Sequence, residues 1–172
     1  MTLIKTITHN ITLALVALTF TIGSVYAGDT VRHRGPTVVE LYTSQGCSSC
    51  PPADALLGKL AKMDGILALS FHVDYWDYIG WKDPFAKPIN SQRQREYSRI
   101  FRKSYVYTPQ MVIHGMAEAT GSNAAAINAS IKHAKLAPDI PIKLARLKSG
   151  DLKIRIARGR QPGQASVWLG FF

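Results

Sequence analysis

Two cysteines, Cys47 and Cys50, are the residues whose type and spacing most directly suggest chemistry in this sequence. They are the only cysteines in the chain and lie in the stretch VVELYTSQGCSSCPPADALLGKL, residues 38–60. A close cysteine pair can be a redox couple, part of a metal site or a local structural disulfide. Two cysteines cannot form a disulfide framework for a whole fold, so the pair acts locally.

The segments around the pair favour the redox interpretation. TVVELYTS, residues 37–44, is typical of a buried strand, and ADALLGKLAKM, residues 53–63, has the apolar stripe of a helix. ILALSFHV, residues 66–73, is a continuous apolar run that predicts a central strand. Because a helix connects the two strands, we expect them to be parallel. A Cys-x-x-Cys inside such a βαβ unit is typical of a redox dithiol.

The position before a helix predicts different roles for the two thiols. Partial positive charge at a helix N-terminus stabilises a thiolate, so Cys47 is expected to have the lower pKa and the better exposure. It would attack a substrate disulfide, and Cys50 would resolve the mixed disulfide. Pro51 and Pro52 favour a helix that begins at about Ser49 or Cys50. Cys47 would then precede the helix amides, which weakens the effect.

Metal binding is the main alternative for the pair. Structural zinc sites commonly use four Cys or His ligands, and this chain has one cysteine pair and no close pair of histidines after residue 27, so zinc is disfavoured. A copper site made of Cys47, Cys50 and a histidine such as His72 stays open, since thiolates suit Cu(I). A structural disulfide in a protein-binding module also stays open. The redox interpretation needs no bound cofactor, only a redox partner or a protein substrate with thiols or disulfides.

The N-terminal residues predict export. Residues 1–27 have a charged start, a short apolar core and small residues before Ala27, which is typical of a cleaved signal peptide. The apolar run is short for a membrane anchor, the alternative. We expect a secreted or periplasmic protein, free of the membrane after cleavage, in which a disulfide can persist. Residues 28–36 are expected to form a flexible arm.

The mature chain is strongly basic and long enough for one domain with a core. The formal net charge is +10, and loss of Lys5 with the signal lowers it to +9. Export argues against nucleic acid as a partner, so a solvated surface near an anionic envelope is preferred. We expect a monomer.

Further elements follow the second strand. Residues 74–91 are aromatic and broken by glycine and proline, which indicates a structured loop. Residues 91–104 predict a basic helix with an apolar face of Tyr97, Ile100 and Phe101. YVYTPQMVIHG, residues 105–115, predicts a strand, and AEAT a returning hairpin strand. Residues 122–136 predict a helix with Ser122 or Asn123 as its N-cap.

The end of the chain has a different sequence pattern. Apolar and basic residues alternate around SGD, residues 149–151, which predicts an amphipathic β-hairpin. QASVWLGFF then begins a further strand and stops inside an apolar segment. We expect a truncation or frameshift near Gly170, the alternative being a terminal strand tucked into the sheet. The domain prediction is therefore 37–138 for the main domain and 139–172 for an incomplete β region.

Long motifs carry a resemblance to a known family. VELYTSQGCSSCPPADALLGKLA, LSFHVDYWDYIGWKDPF and YTPQMVIHG resemble secreted bacterial proteins with a thioredoxin-like domain and no assigned function, over residues 37–170. The resemblance implies an α/β thioredoxin-like fold, with a central mixed sheet flanked by helices. The partial C-terminal β-hairpin region would follow it. Members of the family usually continue into more β-structure.

The resemblance also implies roles for residues outside the cysteine pair. In the thioredoxin fold a cis-proline loop faces the cysteines, so Thr108 and Pro109 would clamp a substrate peptide; the alternative is an ordinary turn. Glu40 would match a buried acid that moves protons for Cys50. Its alternatives are a solvent-facing side chain or a pair with Lys or Arg.

Polar and aromatic residues at the end of the second strand are further candidates. His72, Asp74, Tyr75 and Trp76 lie where ligands bind in open α/β sheets, so they would shape a substrate surface. The alternative is a packed aromatic loop with aspartate caps. The residues that follow are expected to be structural; they are Trp81, Lys82, Asp83 and Phe85.

Overall fold

The structure is a computed structural model that describes residues 35–137 and 140–157. The predicted signal peptide, most of the predicted arm and the predicted strand at QASVWLGFF lie outside the described residues. The proposed domain limits also fall partly outside them, so those limits stay predictions.

The described residues form four strands and three helices, followed by a hairpin. The order is β1 (Thr37–Thr43), α1 (Pro51–Leu60), β2 (Ile66–His72), α2 (Pro88–Ile100), β3 (Gln110–Ile113), β4 (Ala117–Thr120), α3 (Ala124–Ala134), β5 (Ile142–Arg146) and β6 (Leu152–Ile156). A short 3₁₀ helix, Asp77–Ile79, lies between β2 and α2. Every element predicted within these residues is present.

The first four strands form one mixed sheet in the order β2-β1-β3-β4. β1 and β2 are parallel, as predicted, with the register running from Thr37 opposite Ile66 to Thr43 opposite His72. β3 is antiparallel to both β1 and β4. The mixed α/β class is therefore confirmed, and the arrangement is consistent with a thioredoxin-like fold. β5 and β6 form the predicted separate hairpin.

The position of β2 differs from the prediction. Within the described residues β2 is an edge strand rather than a central one. Its side chains are half-buried, apart from an exposed Ser70. Ala68 packs against the core on one face of the sheet and Phe71 against the core on the other. The continuous apolar run thus reflects side chains that are packed on both faces of the sheet. Such packing does not depend on whether the strand is central or at an edge.

The helices cover the two faces of the sheet unequally. On one face, β1 packs against α1 and α3 in a cluster of buried apolar side chains: Val39, Leu41, Ala53, Leu57, Leu60, Met111, Ile113, Ile127, Ile131 and Ala134. On the other face, Tyr42, Val73 and Val112 pack against Tyr97 of α2. The cysteine-bearing loop leads into α1, the helix that covers the first of these faces together with α3.

The buried face of α2 is more polar than predicted. Tyr97 is buried and Phe101 packs against its ring, as predicted, but polar side chains share that face. Ile100 is 64% exposed, whereas Ser91, Gln94 and Ser98 are buried together with Tyr97. Their hydrogen bonds compensate the burial. Gln94 Nε2 donates to the Tyr107 carbonyl at 2.7 Å, and Ser98 Oγ donates to the Lys103 carbonyl at 2.9 Å. The helix also begins at Pro88, three residues before the predicted start.

A close contact at Gly121 fixes the position of α1 against the loop that precedes β3. A Cβ atom at Gly121 would lie 2.8 Å from Ala53 Cβ and 2.9 Å from Pro109 Cβ. The Gly121 amide donates to the Pro109 carbonyl at 2.9 Å. Only a residue without a side chain allows this approach, so the first turn of α1 and Pro109 are neighbours because residue 121 is glycine.

We predict that Gly121→Ala lowers the free energy of unfolding by about 1–3 kcal/mol, because the added methyl group overpacks this contact. Urea unfolding of the purified protein measures it. Gly58→Ala is the matched control, since nothing lies within 4 Å of its Cβ position inside α1. That variant should gain about 0.5–1 kcal/mol. Equal stabilities for Gly121→Ala and the unmodified protein would contradict the packing argument.

Candidate functional site

The cysteine pair forms a disulfide in a closed environment. Cys47 and Cys50 are bonded, with their Cα atoms 5.4 Å apart. Cys47 is 4% exposed and Cys50 is 0% exposed. Cys47 is the more exposed of the two, as predicted, but both cysteines are buried.

Two successive turns place the cysteines side by side. After β1 ends, the Cys47 amide donates to the Ser44 carbonyl at 3.1 Å, and the Cys50 amide donates to the Cys47 carbonyl at 3.1 Å. Ser44 Oγ also accepts from the Gly46 amide at 3.1 Å. The turns reverse the chain between β1 and α1, so the disulfide lies at this strand-to-helix junction.

The start of α1 offers few free amides to a thiolate. The helix begins at Pro51 with Cys50 as its N-cap, close to the predicted start. The prolines at 51 and 52 have no N–H group, and the next two amides, of Ala53 and Asp54, both donate to the Cys50 carbonyl. Asp54 also adds negative charge to the first turn. Helix stabilisation of a Cys47 thiolate is therefore weak, in the direction that the prolines predicted.

The loop before β3 lies beside this junction. The Thr108–Pro109 peptide bond is cis, and Pro109 is buried. Pro109 and Ala53 meet at the same point over Gly121. The structure thus brings the predicted clamp residues next to the first turn of α1, and their role in substrate binding stays a prediction.

The aromatic segment, residues 75–85, packs against both of these loops. Trp76 Nε1 donates to Thr108 Oγ1 at 2.7 Å. A Cβ atom at Gly46 would lie 3.1 Å from Ile79 Cδ1 and 3.2 Å from Trp76 Cβ. Trp76 therefore touches the residue before Cys47 and the residue before Pro109, and the segment covers the junction where the disulfide lies.

Asp83 joins the aromatic segment to the cysteine loop, residues 44–50 between β1 and α1. Its buried Oδ2 accepts from the Gln45 amide at 2.8 Å and lies 2.6 Å from His72 Nδ1. Its Oδ1 accepts from the Phe85 amide at 2.9 Å. Burial by itself raises the pKa of this carboxyl, but the hydrogen bonds from Gln45, His72 and Phe85 outweigh it and lower the pKa.

Asp83 was predicted to be merely structural, and the sequence carried no signal for its partners. Gln45 is 38 residues away along the chain and His72 is 11 residues away. Trp81 makes a second link of the same kind, because its Nε1 donates to Gln45 Oε1 at 2.9 Å. Two residues that follow the 3₁₀ helix thus bond to Gln45 in the cysteine loop.

Of the four candidates at the end of β2, Trp76 and Tyr75 both interact with Thr108 in the loop that carries Pro109. His72 bonds Asp83, and its ring lies 5.4 Å from the Phe85 ring. Asp74 and Tyr75 also bond to α2: Asp74 Oδ1 accepts from Ser91 Oγ, and Tyr75 OH donates to Gln94 Oε1 at 3.0 Å. Burial raises the pKa of Tyr75 to about 12. Asp74 and Tyr75 anchor the aromatic segment to α2.

Glu40 adopts the ion-paired alternative. The side chain of Arg93 donates to it at 2.7 Å through Nε and at 2.8 Å through Nη2. Tyr97 and Tyr42 donate their hydroxyls at 2.8 and 3.0 Å, and burial, followed by the Glu40 charge, raises the pKa of both. The carboxylate lies on the face that α2 covers, whereas the cysteines lead into α1 on the opposite face. Its proposed proton transfer to Cys50 stays a prediction that this geometry does not favour.

The described part of the chain shows neither a group of metal-ligating side chains nor a membrane-spanning helix. Among residues 35–137 and 140–157, no three His, Cys, Asp or Glu side chains are grouped as metal ligands. His72, the suggested copper ligand, uses Nδ1 for Asp83. In the same residues, no helix has both the length and the apolar character that a membrane crossing requires.

We predict that Asp83 makes stability depend on acid pH. Its pKa is lower in the folded protein than the usual value of about 3.9, so its stabilisation is complete above about pH 5 and is lost as the pH falls through the folded pKa. Asp83→Asn should be less stable by roughly 2 kcal/mol at pH 7 and should lose less stability between about pH 5 and pH 2. Urea unfolding across this range measures both effects. The control Asp64→Asn, at an exposed turn, should follow the unmodified protein; a parallel loss in Asp83→Asn would contradict the assignment.

Comparison with known proteins places the chain in a family. A family model described as a protein of unknown function, DUF1223, matches residues 38–172. An X-ray structure of an Agrobacterium tumefaciens protein, a structural genomics target, is similar at 36% sequence identity with a TM-score of 0.65. The match covers 73% of this chain and 58% of that one, so this chain spans little more than half of its relative. No curated protein matches significantly. The chain therefore belongs to the DUF1223 family of proteins of unknown function.

Proposed function

We propose that the chain is an exported thiol–disulfide oxidoreductase of the thioredoxin-like superfamily that acts through Cys47 and Cys50. One observation carries the proposal: the disulfide lies where β1 leads into α1, and the first turn of that helix meets Pro109 over Gly121. The mixed sheet that positions both is consistent with the thioredoxin-like arrangement. Export rests on the signal-like sequence of residues 1–27.

The exchange takes place in two displacements. A substrate thiolate attacks the sulfur of Cys47, the Cys47–Cys50 bond breaks, and Cys50 leaves as a thiolate. The second thiolate of the substrate then attacks the substrate sulfur that is bonded to Cys47, and Cys47 leaves as a thiolate. The substrate dithiol loses two electrons and gains a disulfide, and the protein disulfide becomes a dithiol. The reverse sequence reduces a substrate, and the relative reduction potentials set the direction.

Burial decides which sulfur reacts. Cys50 is 0% exposed and is the N-cap of α1, so an incoming thiolate reaches Cys47 first. Access still requires a movement of the aromatic segment, because Trp76 and Ile79 pack on Gly46. The hydrogen bond from Trp76 to Thr108 must break if the tryptophan moves away. The substrate therefore has to displace this segment or wait for it to open.

A second candidate function also has support from an observation. Both cysteines are buried, which suits a structural disulfide in a protein-binding module of the same fold. In that case the pair stabilises the junction between β1 and α1 and takes no part in turnover. The two functions differ in whether Cys47 reacts with an external thiol.

We predict that Cys50→Ser captures a substrate thiol as a mixed disulfide at Cys47, because the resolving cysteine is gone. Cys47→Ser should capture nothing, because the remaining Cys50 is covered. Incubation with glutathione disulfide or with an insulin-derived disulfide, followed by mass spectrometry, measures the adduct. Turbidity in an insulin reduction assay measures turnover. The unmodified protein should be active and both variants inactive in turnover.

The pair of variants serves as its own control, since each lacks one cysteine and neither can form the internal disulfide. Circular dichroism verifies that both are folded. Absence of adducts from a folded Cys50→Ser protein, or full turnover by Cys47→Ser, would reject the redox proposal and favour the structural disulfide.

A further inference from the structure

The outer edge of β2 is open within the described residues. β2 ends the sheet order, and none of the strands between residues 35 and 157 pairs with its outer side. An open strand edge presents unpaired N–H and C=O groups, which can pair with another extended chain. These groups therefore need hydrogen bonds from water, from other residues of the chain or from a binding partner.

The hydrogen bonds show which residues of β2 face outward. The Thr37 amide donates to the Gly65 carbonyl, and the Val73 amide donates to the Thr43 carbonyl. Along a parallel strand, backbone groups point alternately to the two sides, so the odd-numbered residues face β1. The His72 carbonyl confirms the outward direction of the even-numbered residues, because it accepts from Lys87 N and Asn90 Nδ2 outside the sheet. Ala68 and Ser70 consequently direct N–H and C=O groups to the open edge.

A groove of about 640 Å³ runs along this edge. Leu67, Leu69 and Phe71 of β2 line it together with Phe85, which is 61% exposed. Lys87 lies at the His72 end of the groove, and no carboxylate is among the described lining residues. The groove thus combines strand-pairing groups, apolar walls and one cation.

We propose that this groove binds an extended peptide segment that adds a strand to β2 and places an acidic group near Lys87. Ala68 and Ser70 supply the backbone hydrogen bonds, and the apolar walls receive alternate side chains of the peptide. Charge complementarity selects the acid, since the basic chain offers Lys87 and no competing carboxylate there. The His72 carbonyl is already bonded, so the added strand ends beside Ser70.

The charge of the groove argues against a second copy as its occupant. A copy that paired through its own β2 would bring the sequence ILALSFH, which contains no acidic residue. Lys87 would then find no partner on that strand. An acidic extended peptide satisfies both the strand edge and the cation.

Amide hydrogen exchange of the full-length protein, followed by NMR, tests the proposal residue by residue. The probe is the synthetic peptide acetyl-TVTVD with a free carboxylate. In the free protein, the amides of Ala68 and Ser70 should exchange faster than those of Leu69 and Phe71, which face β1. Saturating peptide should slow the outward amides by roughly tenfold or more, since each gains a hydrogen bond.

Three matched changes separate backbone pairing from charge recognition. Ser70→Pro removes one outward N–H without touching the ladder to β1 and should weaken peptide binding by roughly tenfold. Lys87→Glu should weaken it by roughly fivefold and should reverse the preference toward acetyl-TVTVK-amide. Lys82→Glu, an exposed change outside the groove lining, should bind as the unmodified protein does.

Several outcomes would overturn the proposal. Protection of Ala68 and Ser70 in the free protein at every concentration would mean that other residues of the chain cover the edge. Protection that grows with protein concentration would assign the edge to a second copy. Unchanged exchange with saturating peptide, or equal affinity of a folded Ser70→Pro protein, would exclude strand addition at this edge.

Discussion

The buried carboxylate of Asp83 is the interaction on which the arrangement of the site depends. A charge removed from water needs compensating donors, and here Gln45, His72 and Phe85 provide them. These donors belong to the cysteine loop, to β2 and to the aromatic segment. Because one side chain satisfies all three, the cover over the disulfide and the end of β2 hold fixed positions relative to Cys47.

A second constraint, steric rather than polar, acts at the first turn of α1, directly after the cysteine loop. The missing side chain of Gly121 lets the first turn of α1 meet Pro109. Trp76 connects the two constraints, since it contacts Gly46 and donates to Thr108. The result is a disulfide that leads into a helix whose first turn meets Pro109, and both of its cysteines are buried. Such a site suits exchange that is gated by movement of the aromatic segment, with modest thiolate stabilisation from a helix that begins with two prolines.

Local sequence signals predicted much of this structure. The Cys-x-x-Cys-Pro-Pro run marked the start of α1, Asn123 capped α3 by accepting from the Ala126 amide, and the SGD turn marked the hairpin. What the sequence could not show depends on distant partners. The edge position of β2 depends on which strands pair, and the polar buried face of α2 depends on acceptors at Tyr107 and Lys103. Glu40 and Arg93 lie 53 positions apart in the chain, so no local sequence pattern predicts their ion pair.

The reduction potential of the Cys47–Cys50 pair, measured against glutathione buffers, tests the central claim most directly. A redox-active pair should equilibrate at a potential between about −120 and −270 mV, the range of thiol–disulfide oxidoreductases. A potential below about −300 mV would show that the disulfide is structural and would contradict the account.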